Sequence, residues 1–229
     1  MAPPGHTGVI IDNLTSIAAR PRARRGEGPQ LREQLLDATE RLLIDARDAD
    51  AVSIRAIADA VGVTPPSIYL HFADKAALIR AVCERSFAAF DEVVEQAGIT
   101  TDDPVESLRR RARAYVQFGL DNPEQYRILF MGKATGVDDS VDLANMPGSQ
   151  AFLHLVEAVE RAIDGGAVQP GLEPFVTATG FWAAAHGITS LLISLPTFPW
   201  PDVDVLVEHV CESMTYGLTH PDQRKQAQP

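Results

Sequence analysis

Apolar side chains recur along this chain every three or four positions, the spacing that brings them to one face of an α-helix. The pattern begins at Leu31, and no stretch shows the sustained two-residue alternation that is typical of a β-strand. We therefore predict an all-α fold of about nine helices. Four helices are expected before Gly98. The later ones are expected at 103–120, 122–131, 148–164, 173–195 and 202–218.

Residues that favour helix ends divide the N-terminal part into consecutive helices. Ser53 is placed to cap a helix that ends at Gly62, because glycine adopts the left-handed backbone of a helix end readily. Thr64 is placed to cap the next helix, with Pro65 at its first position, where no N–H is needed. Asp74 is expected to cap a long fourth helix. The second and third helices, joined by a tight turn, form a helix-turn-helix, whose second helix can enter the DNA major groove.

The formal net charge of −11 is unevenly distributed along the chain. Residues 1–80 carry ten basic and ten acidic side chains, whereas residues 81–229 carry ten basic and twenty-one acidic ones. Five arginines lie within the first 32 residues, in a stretch rich in proline and glycine. We expect a flexible basic arm at 1–26. The overall charge argues against nucleic-acid binding, but the segregation leaves it open for the front end.

Cysteine and histidine positions exclude several kinds of site. Cys83 and Cys211 are far apart and no CxxC spacing occurs, which excludes a disulfide scaffold and a cysteine-type zinc finger. His154, His209 and His220 do not have metal-ligand spacing. We therefore predict no metal and no cofactor.

The segment 175–195 lacks charged side chains and is long enough to cross a bilayer. It also contains six polar side chains, and no lysine or arginine lies between Arg161 and Arg224 to anchor it at a membrane surface. We predict a buried helix and no membrane association. Because no secretory signal is recognisable either, a cytoplasmic location is expected.

Three short motifs follow one another through the predicted helix-turn-helix. They are Gly62-Val63-Thr64, Ile68-Tyr69-Leu70-His71-Phe72 and Asp74-Lys75-Ala76-Ala77-Leu78. In this order and spacing they resemble the signature of the TetR family of bacterial transcriptional regulators, in detail over about residues 30–80. The resemblance implies a DNA-binding domain at 27–76, a ligand-binding and dimerisation domain at 77–220 and a tail at 221–229.

The resemblance also implies which side chains meet double-stranded DNA. Pro66 stands where the family often has glycine or a small polar residue, and the recognition helix has no Arg, Asn or Gln for bidentate base contacts. Base reading would then depend on Arg55, Ser67, proline rings against thymine methyl groups and DNA shape. The predicted DNA contacts are Ser53, Arg55, Thr64, Pro65, Ser67, Tyr69, His71 and Lys75.

Each of these interpretations has a structural alternative. The helix-turn-helix could serve only as a packing element, Arg55 could be a solvated surface residue, and His71 could be a satisfied helix-end histidine. The arginine-rich arm could lie in a minor groove or be an unstructured, solubilising segment.

The C-terminal part carries a second motif, in which Trp182 and His186 lie one helical turn apart and Gly187 follows. This Trp-x-x-x-His-Gly pattern looks like the WHG regulatory domain found in a subset of TetR-like proteins. Aromatic residues on several helices could line an apolar pocket with His186 as a polar group, or they could form plain core with a histidine bonded inside it. The predicted pocket residues are Phe87, Phe90, Tyr115, Phe118, Tyr126, Phe130, Phe152, Trp182 and His186.

Two further expectations concern the C-terminal helices. By the resemblance, the helices at 173–195 and 202–218 form a four-helix bundle with their copies in a second subunit. The run of arginines from Arg109 to Arg113 is expected to form salt bridges with the acidic body, the alternative being a second DNA surface.

We therefore predict a bacterial, homodimeric DNA-binding regulator. In this prediction it is a repressor that binds a palindromic operator and is released by a small, largely apolar ligand. One alternative is a repressor without a small-molecule ligand. The other is a helical carrier or enzyme, although the sequence shows no nucleophile–base pair, phosphate loop or metal constellation.

Overall fold

The computed structural model describes residues 27–131 and 146–219, and within these ranges it contains nine α-helices and no strand. The all-α prediction is therefore confirmed. The predicted basic arm, most of the loop at 132–147 and the tail lie outside the described residues. The helices are α1 (Glu27–Ala46), α2 (Ile54–Val61), α3 (Pro65–Tyr69), α4 (Lys75–Gly98), α5 (Pro104–Asp121), α6 (Pro123–Tyr126), α7 (Ser149–Asp164), α8 (Pro174–Ser194) and α9 (Val203–Thr219), with α6 continued by a π-helical turn at Arg127–Met131.

The helix ends follow the predicted caps at three places. The Ser53 hydroxyl accepts a hydrogen bond from the backbone N–H of Ala56 at 3.1 Å, and Asp74 Oδ1 accepts one from Ala77 at 2.7 Å. Gly62 ends α2 with φ of 77°, a backbone angle that side chains other than glycine rarely adopt. These caps fix where the helix-turn-helix begins and where α4 starts.

Thr64 does not cap α3 through its side chain, which corrects the prediction. A capping side chain accepts from the second or third N–H of its helix, but Pro66 has no N–H and the Ser67 N–H donates to the Thr64 carbonyl at 2.9 Å. The Thr64 hydroxyl instead lies 3.0 Å from the Ser67 hydroxyl. The proline at the second helical position therefore removes one backbone donor, and the Thr64 carbonyl takes the other.

The N-terminal core packs α1, α2 and α3 against the first turns of α4. Leu35, Ile57, Ile68 and Leu78 are fully buried in it. The core continues along α4 as far as Val82. Since α3 is only five residues long, this shared core, rather than its own hydrogen bonds, holds it in place.

The remaining helices pack around α5, which contacts α4, α7, α8 and α9. Helix α8 buries one side, including Phe181 and Ile188, and leaves Val176 and Leu191 on the opposite side exposed. Among the described residues it is the one helix long and apolar enough to cross a membrane, and 39% of its most apolar window is buried. A core helix of a water-soluble fold passes the same test, so this is weak evidence for a membrane span.

Candidate functional site

The helix-turn-helix presents the outer face of α3 to solvent. Ile68 is fully buried beneath α3, and Ala58 on α2 is fully buried where the two helices meet. The side chains of Pro65, Pro66 and Tyr69 consequently point away from the core and are exposed. This geometry is what entry into a major groove requires, because the reading helix must stand clear of its support.

The other predicted DNA contacts lie around this face. Arg55 is exposed on α2, and its guanidinium makes no hydrogen bond or ion pair with the described residues. Lys75 is the first residue of α4, and its Nζ lies 3.4 Å from the Asp50 carbonyl. His71 is half-buried just after α3. A basic group and the free N–H groups of a helix start beside α3 suit phosphate oxygens.

Sequence reasoning missed Leu70, whose side chain is 84% exposed beside Tyr69 at the end of α3. No other large apolar side chain in the described parts of the chain is as exposed. Its position four residues after Pro66 could have indicated this exposure, because residues four apart lie on the same face of a helix.

All nine predicted pocket residues belong to one continuous set of ring contacts. Phe90 lies at the centre of the first part, with ring centroids 5.1 Å from Tyr115, 5.2 Å from Phe118 and 5.4 Å from Phe130. Most of these rings meet edge to face, the geometry that aromatic pairs prefer. Phe87 joins through Phe130 at 5.2 Å.

Two tyrosine hydroxyls and one imidazole form a polar group inside this aromatic set. His186 Nδ1 lies 2.7 Å from the Tyr126 hydroxyl and 3.3 Å from the Tyr115 hydroxyl. Burial raises the pKa of Tyr115 above its usual range and that of Tyr126 to about 12, and burial lowers the pKa of His186. All three groups are therefore neutral at pH 7, and a neutral imidazole can accept a hydrogen bond from the Tyr126 hydroxyl at Nδ1.

A second aromatic group adjoins the first through His186. Trp182 contacts His186 at 6.2 Å between ring centroids and Phe152 at 5.8 Å. Trp182 is 42% exposed, so this end of the ring set reaches the surface of the single chain.

A cleft of about 370 Å³ lies between α4 and residues 146–151. Phe87 lines it, together with the acidic Glu84 and Asp91, but the other eight predicted pocket residues do not. The nine residues are thus close together, whereas their role in binding a ligand stays a prediction. Among the described residues, no three His, Cys, Asp or Glu side chains lie close enough to hold a metal ion.

Three arginines of the run on α5 form the predicted salt bridges, whereas Arg109 instead donates a hydrogen bond to the Thr215 hydroxyl at 3.1 Å. Arg110 pairs with Glu106 at 3.0 Å, and Arg113 bridges Glu106 at 3.2 Å and Glu208 on α9 at 2.7 Å. Arg111, 3% exposed, forms a bidentate pair with Glu95 on α4. These arginines are committed to the body, which leaves little positive charge there for DNA.

Glu40 on α1 connects the DNA-binding helices to the rest of the molecule. Its carboxylate accepts from Arg85 at 2.7 Å and Ser86 at 3.2 Å, both on α4, and from Gln125 on α6 at 2.9 Å. On the neighbouring turn, Ile128 packs against the N-terminal core. Helix α6 is therefore tied directly to α1.

A second connection runs from α8 to the end of α1. Arg127 donates to the Ile193 carbonyl at 2.9 Å and to Glu124 at 2.7 Å, and Glu124 also accepts from Arg47 at 3.1 Å. Arg47 follows the last residue of α1 directly. A displacement of α6 would therefore strain contacts on both α8 and α1.

Comparison with known proteins agrees with this architecture. The model of bacterial regulatory proteins of the tetR family matches residues 35–82, which contain α2, α3 and the start of α4. A tetracyclin repressor-like C-terminal domain matches residues 108–214. The chain belongs to the TetR family. The family is thus shown by two matches that together cover about two thirds of its length, and the second includes Trp182 and His186.

Two relatives are about one third identical to this chain over part of its length. The transcriptional activator FasR of Mycolicibacterium smegmatis is 34% identical over 109 residues, which are 48% of this chain and 49% of FasR. The transcriptional repressor BdcR of Escherichia coli is 34% identical over 93 residues, or 38% of this chain and 46% of BdcR. The match therefore spans about half the length of these relatives.

The fold of this chain resembles that of solved structures over nearly their whole length. A Rhodococcus sp. RHA1 protein of unknown function has a TM-score of 0.71 at 25% identity, covering 83% of this chain and 96% of that one. The TetR family comprises bacterial regulatory proteins, and this member combines an N-terminal helix-turn-helix with an all-helical C-terminal domain.

Proposed function

We propose that this regulator is a cytoplasmic, homodimeric repressor that binds a palindromic operator. The observation that carries the proposal is the exposed face of α3, held on a shared core with Lys75 beside it. A helix of five residues is only about 7.5 Å long and covers few base pairs. Two copies related by a two-fold axis double the contact and match a palindrome in which the half-sites lie one helical turn apart.

The exposed side of α8 supports a second copy as the partner. Thr179, Gly180 and Ala183 are exposed there, and Cβ atoms added at Gly180 or Gly187 would have no other atom within 4 Å. Small side chains let two helix backbones approach closely, while Val176 and Leu191 supply apolar area. Helix α9, which contacts α8, carries the exposed apolar side chain of Val205.

The effector in this proposal is a small, largely apolar and uncharged molecule. Aromatic rings supply most of the surface in the predicted site, and its polar groups are the neutral hydroxyls of Tyr115 and Tyr126 and the neutral imidazole of His186. No cationic side chain is bonded to these three groups among the described residues, so a carboxylate would lose its hydration without gaining an ion pair.

Release from DNA would follow from the contacts of α6. A ligand that favours a displaced α6 shifts the population away from the DNA-binding conformer, because Gln125 holds Glu40 on α1 and Arg127 holds the end of α8. The coupling is reciprocal, so operator DNA would weaken ligand binding by the same factor.

A reporter assay tests the sign of regulation. The DNA upstream of the protein's own gene is placed before a reporter gene, with the regulator supplied in trans. The proposal predicts lower expression with the wild type than with Tyr69→Ala, and higher expression would assign an activator instead, as FasR is named.

The proposed response to a ligand is tested by the fluorescence of Trp182, measured in the Trp200→Phe variant. The compounds are a panel of uncharged aromatic molecules, each matched with a carboxylated counterpart. We expect uncharged compounds to alter the emission and to weaken operator binding. A panel in which no compound alters operator binding would favour a repressor without a small-molecule effector.

A further inference from the structure

The outer face of α3 is almost entirely apolar. Pro66 and Leu70 lie four residues apart, as do Pro65 and Tyr69, so the face consists of two parallel pairs. Leu70 keeps helical backbone angles, φ −74° and ψ −18°, which holds it in line with Pro66. Its side chain is 84% exposed, although its neighbours Ile68 and Phe72 are buried.

The hydroxyls available near this face are largely occupied. Thr64 and Ser67 are hydrogen-bonded to each other at 3.0 Å, and Ser67 is half-buried. The Tyr69 hydroxyl remains at the edge, and Arg55 lies on α2, outside the face. Helix α3 therefore meets the groove with carbon surface rather than with the donors and acceptors that usually pair with base edges.

In the major groove, the apolar group that differs between base pairs is the C5-methyl of thymine. We propose that Leu70, together with the Pro66 ring, reads thymine methyl groups and sets the sequence specificity of this regulator. This inference rests on the proposed operator binding. DNA is the occupant that fits, because the face continues directly into Lys75 and the start of α4, where phosphate oxygens are expected.

The test removes the methyl group without changing base pairing. Operators are selected from random duplex DNA with the full-length protein, and each thymine is then replaced by uracil at the two symmetric positions of the palindrome. Dissociation constants are measured by fluorescence anisotropy for the wild type, for Leu70→Ala and for Ile99→Ala. Ile99 is an exposed apolar side chain, 58% exposed, at the far end of α4 and serves as the matched control.

For at least one symmetric pair, uracil is expected to weaken wild-type binding about fifteenfold, which is about fourfold for each methyl group. The thymine-to-uracil ratio should fall to within about twofold in Leu70→Ala and stay at the wild-type value in Ile99→Ala. The salt dependence of binding should be the same for all three proteins, because no phosphate contact is removed.

Two results would overturn the inference while leaving operator binding intact. Uracil at every thymine position could change the wild-type affinity by less than twofold, or the full ratio could persist in Leu70→Ala, which would assign the methyl effect to DNA shape or to another side chain. A selection that enriches no sequence would overturn the proposed operator binding itself. Circular dichroism and thermal unfolding confirm that Leu70→Ala is folded, as expected for an exposed position.

Discussion

His186 lies where two tyrosine hydroxyls converge on one ring nitrogen. Burial lowers its pKa below the usual value of about 6.5, so the folded chain binds fewer protons than the unfolded chain just below that pH. The free energy of unfolding should therefore fall as the pH is lowered from 7.5 through about 6.5 and on through the folded pKa. Above pH 7.5 the imidazole is neutral in both the folded and the unfolded chain, so its titration no longer changes the free energy of unfolding.

The variant His186→Gln isolates this effect, because glutamine can accept the Tyr126 hydrogen bond without titrating. Urea unfolding at a series of pH values between 7.5 and 5.5 should show a smaller loss of stability for the variant than for the wild type. An identical loss in both proteins would contradict a buried, neutral His186.

Lys75 is expected to act as a point charge on a phosphate. Lys75→Ala should weaken binding to all sequences alike and reduce the slope of log Kd against log salt by about one per contact. The control is Arg161→Ala on α7, whose side chain is 57% exposed and far along the chain from α3. Equal slopes for wild type and Lys75→Ala would place Lys75 outside the interface.

At the residue scale, sequence reasoning located local features better than long-range ones. The caps at Ser53 and Asp74 depend on neighbours three residues away, and both were predictable. The partners of Glu40 lie 45, 46 and 85 residues away along the chain, and nothing in the local pattern marks them. Leu70 was missed because an exposed leucine carries no signal of its own.

The crossing of α4 and α5 depends on a glycine beneath a buried arginine. Arg111 lies against Gly98, and hydrogen bonds from Arg111 hold the pKa of Glu95 below its usual range. A Cβ at position 98 would overlap the Arg111 side chain, which cannot move without breaking its pair with Glu95.

Gly98→Ala should therefore lower the free energy of unfolding by about 1–3 kcal/mol, even though alanine favours helix more than glycine. Gly28→Ala in α1, where a Cβ meets no atom within 4 Å, is the matched control and should be neutral or stabilising. Equal stability of the two variants, measured by urea unfolding, would show that α4 and α5 do not cross this closely.

Helix positions were predictable where the apolar period continues for several turns. Helices α5, α7, α8 and α9 begin and end within one residue of their predicted limits. The segment at 122–131 was predicted as one helix, whereas the α-helix ends at Tyr126 and a π-helical turn follows. Periods of 3.6 and about 4.4 residues cannot be distinguished over five residues, so this change needs the tertiary structure.

The first helix begins at Glu27, four residues before Leu31, where the apolar pattern starts. A first turn exposed to solvent needs no apolar side chain, so its sequence gives no periodic signal. The positions of helices were thus easier to predict than their ends.

Operator binding as proposed requires two chains. Leu191 on α8 is 48% exposed on the side proposed to meet a second copy, and Val93 on α4 is 47% exposed elsewhere. Leu191→Arg would bury a charge in the dimer interface and should raise the dimer dissociation constant at least a hundredfold, with loss of operator binding. Sedimentation equilibrium, without and with operator DNA, measures the dimer dissociation constant and operator binding.

The matched variant Val93→Arg should remain dimeric and bind the operator as the wild type does. Dimers of equal stability for both arginine variants would remove α8 from the interface.

The uneven distribution of charge along the chain was predictable from the sequence, and the structure shows which basic side chains form ion pairs. Arg110, Arg111 and Arg113 on α5 pair with acidic partners on α4, α5 and α9. Arg55, exposed on α2, and Lys75, at the start of α4, form no ion pair among the described residues. The operator sequence was out of reach, since methyl contacts and DNA shape are properties of the complex.

One dimer of this regulator should bind one palindromic operator through α3. The most direct measurement is a titration of a selected palindrome, its scrambled duplex and its isolated half-site by fluorescence anisotropy over a series of salt concentrations. We expect two chains for each palindrome, binding at least a thousandfold tighter than to the scrambled duplex, and a steep loss of affinity with salt. Equal affinity for the palindrome and the scrambled duplex would contradict the account.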